Sequence, residues 1–221
     1  RPGEFTQGFD FRNIAATRAV MRALNLRGAR FLDVSTMEGL FSILAQRQGA
    51  DVVATDVIDL GPRVRLAQHL HDSVFHYLPN APTETYADWL MNFQVARSHD
   101  PQRDLAATSH TPYGFDVVLS SGVLYHVLSP LQHLIELRKL IKAGGLLVLE
   151  TACVVSDEVD IFHDIRNRGN IYGGSASWFV TTGALDLYLR ALGLSPVAFE
   201  YVMSSSSEVG QVIRLALVAQ A

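Results

Sequence analysis

Four short apolar runs, set between stretches of helical periodicity, constrain this chain more than any other feature. Arg30-Phe-Leu-Asp-Val34, Asp51-Val-Val-Ala-Thr-Asp56, Phe115-Asp-Val-Val-Leu-Ser-Ser121 and Leu146 to Glu150 are nearly continuous in apolar residues rather than alternating. A strand without a polar face has both faces buried, which is the situation of a parallel sheet covered by helices above and below. The intervening segments supply the helices. Phe11 to Leu26 carries Ile14, Ala15, Val20, Met21 and Leu24 at helical spacing and stops at Arg27-Gly28. Gly39 to Gln48, Arg63 to Asp72 and Thr182 to Leu192 read the same way. Ser129-Pro130-Leu131-Gln132 is a capping box opening a helix that closes at Lys142-Ala-Gly144-Gly145. Two β-like runs, Val197 to Met203 and Val212 to Ala219, finish the chain as an antiparallel pair. Residues 59–114 carry five prolines and little pattern; a third strand is expected near Met91 to Arg97.

Composition removes several classes. With 48% hydrophobic and 18% charged residues in 221, the chain is globular and long enough for one domain with a large core. The single cysteine, Cys153, excludes an internal disulfide framework and argues against a cysteine-based zinc site. The 18 basic and 22 acidic residues leave a net charge of −4, without the basic surplus of a dedicated nucleic-acid binder. No apolar run reaches the roughly 18 residues of a membrane span, so no membrane partner is expected. Arg1-Pro2-Gly3-Glu4 begins no apolar signal core, and a cytoplasmic location is the expectation.

A doubly wound sheet binds its ligand beyond the carboxyl ends of its strands. Asp33 ends the first strand and leads through Val34-Ser-Thr-Met-Glu-Gly39 into a helix, and Asp56 ends the second. An acid there accepts the ribose hydroxyls of a nucleoside, and the turn offers backbone N–H groups to a negatively charged end. A plain strand–turn–helix with a solvated acid explains those residues equally well.

The Gly122-Val-Leu-Tyr-His126 stretch with Ser129-Pro-Leu131 after it, and Ala143-Gly-Gly-Leu-Leu-Val-Leu-Glu-Thr151 beyond, is more specific. It resembles the class I S-adenosylmethionine-dependent methyltransferases, in the branch that includes the tRNA wobble-uridine carboxymethyltransferases and small-molecule relatives. The resemblance implies a Rossmann-like, mostly parallel seven-stranded sheet with the antiparallel C-terminal pair. It implies S-adenosyl-L-methionine as cofactor, with S-adenosyl-L-homocysteine as product. Asp33, Ser35, Thr36 and Gly39 would form the turn around the methionine part, Asp56 would hold the ribose, Asp100 would meet the adenine, and Ser120 and Ser121 would lie along the cofactor. Tyr125 and His126 would face the transferred group, with His126 as general base where the acceptor holds a proton. His163, Arg166, Tyr172 and Trp178 would line the acceptor pocket, and Arg214 with Tyr125 would hold a carboxylate on a carboxymethyl donor.

The chain departs from the family where glycines are usual: Ser35 and Met37 occupy those positions and only Gly39 remains. Ser35 fits if its φ stays negative. His69, His71 and His76, the first and last on one helix face, lack a carboxylate to complete a metal set, so no metal is expected. Phe5, Phe9 and Phe11 would form an N-terminal lid or pack on the first helix. The expected function is methyl transfer to a small-molecule acceptor, in a chain that can form a homodimer. The second reading is tRNA wobble-uridine methyl or carboxymethyl transfer, for which Arg63, Arg65, Arg97 and Arg103 are the available cations. The third is a non-catalytic binding module.

Overall fold

The computed structural model describes residues 11–90, 114–163, 178–207 and 210–221. They run α1 (Phe11–Met21), β1 (Arg30–Val34), α2 (Leu40–Arg47), β2 (Asp51–Thr55), α3 (Gly61–His71), β3 (His76–Leu78), a helical turn α4 at 86–90, then β4 (Phe115–Ser121), α5 (Pro130–Leu140), β5 (Ile141–Val154), β6 (Ile161–His163), β7 (Trp178–Thr181), α6 (Thr182–Ala191), β8 (Ser195–Ser207) and β9 (Gly210–Gln220). They form two compact units, and β4 and β5 contribute residues to both. No described helix is long and apolar enough to cross a membrane.

The unit of residues 25–119, 131–147 and 220–221 carries strands in the order β3-β2-β1-β4 and the start of β5. β1 and β2 are parallel from Arg30↔Asp51 to Val34↔Thr55, and β2 and β3 are parallel from Val53↔His76 to Thr55↔Leu78. Phe31 and Leu32 point to opposite faces of β1 and are both fully buried, as the continuous apolar run requires. Burying each such side chain contributes about 1.5–3 kcal/mol. Polar groups close the strand ends: Arg30 N–H donates to Asp116 Oδ2 (2.7 Å), and Lys142 pairs with the same carboxylate. Glu136, 2% exposed, accepts from Ala87 N–H at 2.9 Å and from Lys139 Nζ at 2.7 Å, tying α5 to α4.

The unit of residues 1–24, 120–130 and 148–219 continues β5 outward to β7 and β6 and, along another path, to β9 and β8. β5 and β7 are parallel at Cys153↔Val180 and Val154↔Thr181; β6 and β7 are antiparallel. Thr181 caps α6, its Oγ1 accepting from Ala184 N–H and donating to Glu158 O. Helix α1 packs against β8.

Three sequence expectations need correction. The described residues hold nine strands rather than seven, because β6 and β7, at three and four residues, are too short for periodicity to reveal. The strand beside β2 is His76–Leu78, so His76 begins a strand and shares no helix face with His69. The segment Met91 to Arg97 lies outside the described residues. β5 begins at Ile141 rather than Leu146, because Gly144 takes φ 73° and its N–H reaches Ala221 O at 2.9 Å, pairing the supposed helix stop with the chain end.

Candidate functional site

Asp33 ends β1 with its carboxylate 2% exposed. Its Oδ2 accepts from Ser42 Oγ at 2.6 Å and Thr36 Oγ1 at 2.7 Å, so one buried acid ties the turn to the first turn of α2. Thr36 N–H donates to Thr55 O (2.9 Å) and anchors the turn to β2. The arrangement makes Asp33 a positioning group for the turn and its N–H groups. Asp56 follows β2 and is 3% exposed. Its Oδ2 accepts from Met37 N–H at 2.9 Å and its Oδ1 from Ile58 N–H at 3.3 Å, which leaves further lone pairs on both oxygens for hydroxyl donors.

Ser35 takes φ 60° and Met37 φ 52°. The expectation that Ser35 keeps a negative φ is therefore corrected: the turn retains the left-handed path that glycine favours, carried by two residues with side chains. Each left-handed residue costs roughly 1–2 kcal/mol, and the Asp33 and Asp56 hydrogen bonds hold both in place. At Gly39 no side chain fits. Its φ is 89°, and an added Cβ would stand 2.8 Å from the Phe75 ring. Gly39→Ala is expected to destabilise the chain by about 2 kcal/mol or more, a fall in Tm of roughly 4–8 °C by differential scanning calorimetry. An unchanged Tm would show that the turn and Phe75 shift freely.

Burial pushes the Asp33 carboxyl up to about 6 against the lowering effect of the Ser42 and Thr36 hydroxyls, and the Asp56 charge adds to the rise. Burial also raises Asp56, opposed by the N–H groups of Met37, Ile58 and Val57. The linkage follows. Between about pH 4 and pH 6 the folded chain keeps a proton that the unfolded chain has lost. Stability therefore falls as pH rises through that window, by on the order of 2–3 kcal/mol for Asp33. Asp33→Asn is expected to raise Tm at pH 7 and to flatten the fall from pH 4 to 6. An identical Tm–pH slope in wild type and variant would remove Asp33 as its cause.

The second group of residues stands in the other unit. Ser120 is fully buried at the end of β4. Ser121 Oγ bonds Thr17 Oγ1 and donates to Asn13 Oδ1, both at 2.9 Å, which fastens α1 beside the strand end. Gly122 then turns at φ 76° and donates its N–H to Glu150 O at 3.0 Å. Tyr125 is 6% exposed and belongs to an apolar cluster with Ala152, Val154, Phe179 and Val212. His126 is exposed, its ring 4.2 Å from the Tyr125 ring between centroids. Trp178 N–H donates to Tyr125 O at 3.2 Å, so β7 holds the Tyr-His turn.

Beneath Tyr125 lies a buried ion pair. Arg214 on β9 donates from Nε to Glu150 Oε1 at 2.6 Å and from Nη2 to Glu150 Oε2 at 2.7 Å. Both side chains are 0% exposed. The Arg214 guanidinium carbon stands 4.9 Å from the centre of the Tyr125 ring. Such a bidentate pair fixes the plane of the guanidinium, and a cation over an aromatic face adds about 0.5–2 kcal/mol. Glu150, Arg214, Tyr125 and His126 are thus stacked from the interior to the surface of this unit.

Sequence reasoning named Arg214 and Tyr125 but missed Glu150 as their partner. The signal was an acid inside an apolar strand, which requires a buried cation to accompany it. Ser42, Thr17 and Asn13 carried no signal, since hydroxyls and amides within helices are ordinary. Asp100, Arg166 and Tyr172, with Phe5, Phe9, Arg97 and Arg103, lie outside the described residues. His163 is placed as a β6 residue opposite Trp178. Among the described residues no cluster of three or more His, Cys, Asp and Glu stands close enough to share a metal ion.

The family model described as a methyltransferase domain matches residues 7–198. The tRNA U34 carboxymethyltransferase of Azotobacter vinelandii is 33% identical over 193 residues, covering 84% of this chain and 51% of that protein. The Pseudomonas aeruginosa protein of the same description is 32% identical over 180 residues, covering 78% and 47%. The chain thus spans about half the length of these curated relatives. Among solved structures, a Mesorhizobium loti S-adenosylmethionine-dependent methyltransferase superposes with a TM-score of 0.62 at 16% identity, covering 93% of this chain and 95% of that one. The Burkholderia thailandensis 1,6-didemethyltoxoflavin-N1-methyltransferase, with that compound and S-adenosylhomocysteine bound, superposes at 0.59 with 18% identity, covering 92% and 76%.

Proposed function

We propose, from the premise that this chain belongs to the methyltransferase domain family, that it transfers a methyl or carboxymethyl group from the sulfonium of an S-adenosylmethionine-type donor. The observation that carries the reading is the turn after β1. It keeps its left-handed path at Ser35 and Met37 without glycine and remains tied to two buried acids. A turn retained at that energetic cost fits a donor's amino-acid end. Asp56, with acceptor capacity beyond the N–H bonds it already accepts, suits a ribose. The donor's sulfonium supplies an already activated carbon, so the protein mainly aligns. In the other unit His126, exposed beside Tyr125, suits a base for the acceptor's proton when there is one.

For the acceptor, the reading best supported by the relatives is the wobble uridine of tRNA, with a carboxymethyl group transferred. The kinship at 33% identity supports it, and so does the Tyr125–Arg214 stack, since an arginine near the transferred group suits an extra carboxylate. A second reading, methyl transfer to a small molecule, draws support from the net charge of −4 and from Glu150, whose carboxylate offsets the Arg214 charge.

One comparison tests both levels. Tm is measured with S-adenosylmethionine, its carboxylated analogue and S-adenosylhomocysteine. Donor at about 100 times its Kd stabilises by about 2.7 kcal/mol, a shift of roughly 5–11 °C. No shift with any of the three at millimolar concentration would overturn the enzyme reading in favour of a binding module. A larger shift with the carboxylated donor than with the plain one supports carboxymethyl transfer, and the reverse order supports methyl transfer. Binding of tRNA that weakens steeply with salt distinguishes the nucleic-acid acceptor from a small one.

A further inference from the structure

We propose that one face of β8 is the contact surface for a second copy of this chain. Val197, Phe199, Tyr201 and Met203 are 58%, 65%, 55% and 55% exposed. They alternate along β8, so their side chains share one face of the strand. Single exposed apolar residues are ordinary, but four at period two form a continuous patch, and such patches mark interaction sites. β8 has no Lys or Arg, and its one charged residue, Glu200, falls in the other row. The patch therefore lacks the lysines and inward charges that keep exposed strands from associating.

A second copy is the occupant because the row reads alike in both directions about Glu200: aliphatic, aromatic, aromatic, aliphatic. Two such rows, packed face to face and antiparallel across a twofold axis, set Phe199 against Tyr201 of the second copy and Val197 against Met203 of the second copy. Each contact is then made twice, as an isologous interface requires. With aromatic side chains offering about 150–250 Å² each, the four exposed portions present on the order of 400 Å² per copy, about half the roughly 800 Å² per partner of a stable interface. The row forms the apolar centre of a reversible, concentration-dependent contact.

Sedimentation velocity of the 221-residue chain from about 1 to about 200 µM tests this. The expected result is a concentration-dependent dimer that high salt does not disperse. Phe199→Glu and Tyr201→Glu should each raise the dimer Kd at least about tenfold, as central aromatic anchors do. Circular dichroism and the donor-induced Tm shift should stay as in wild type, so this result is separate from that of the donor experiment. Phe199→Ser and Tyr201→Ser provide the same readout if a glutamate variant fails to fold. A chain that stays monomeric across the whole range overturns the proposal, as does a dimer that the folded variants leave equally tight.

Discussion

Arg214→Met is expected to lower Tm by roughly 6–20 °C, the largest stability effect of any substitution considered for this chain. Removing one partner of a buried ion pair costs about 3–5 kcal/mol, because the other charge is left desolvated and unpaired, and a chain of this size loses about 2–4 °C per kcal/mol. Both Arg214 and Glu150 are 0% exposed, and Glu150 takes two of the guanidinium donors at 2.6 and 2.7 Å. The cation over Tyr125 is lost as well. The size of the effect alone does not identify the mechanism, since a cavity would also destabilise. The decisive comparison is Glu150→Leu combined with Arg214→Met. Two apolar side chains leave no orphan charge, so the double variant should recover most of the loss. A double variant as unstable as the single one would show that packing, not the charge pair, is what Arg214 contributes. The double variant also separates stability from donor choice: a folded chain without Arg214 should lose any preference for a carboxylated donor while still binding S-adenosylmethionine.

That pair also shows where sequence reading stops. Arg30–Val34 and Phe115–Ser121 are strands with the expected bounds, because continuous apolar runs leave a strand no choice of face. Asp33 and Asp56 stand where strand ends had to be, and chain order alone brings β1 and β2 together in parallel. Glu150 and Arg214 are separated by 64 residues in the chain. Each is visible as a charge inside an apolar strand, but their pairing depends on β9 lying next to β5, and no local pattern encodes that neighbour. The path of the turn is hidden from the sequence for a different reason. A left-handed φ at Ser35 or Met37 opposes local preference. It is imposed by hydrogen bonds from Thr36 to Thr55 and from Met37 to Asp56, which exist only once β2 is in place. β3 was hidden by its length, three residues carrying His and Tyr, too few to show a period.

His126→Ala is expected to lower turnover by about 10²–10⁴-fold, the range of a lost general base, while the donor-induced Tm shift stays as in wild type. His126 suits that test because its ring is exposed and lies tilted against Tyr125 rather than buried in the core, so its removal leaves no cavity. The readout is release of S-adenosylhomocysteine with acceptor present. A base works only when unprotonated, so the wild-type rate should fall as the solution is made more acidic, and the alanine variant should lack that acid limb. His126→Gln keeps a polar side chain of similar reach but cannot move the proton, so it should match alanine in rate if proton transfer is the role. Should glutamine restore the rate, His126 holds the acceptor by a hydrogen bond and the acceptor brings no proton that must leave. A loss below tenfold in both variants would exclude the base role. Transfer would then rest on alignment alone, with an acceptor atom already nucleophilic at neutral pH.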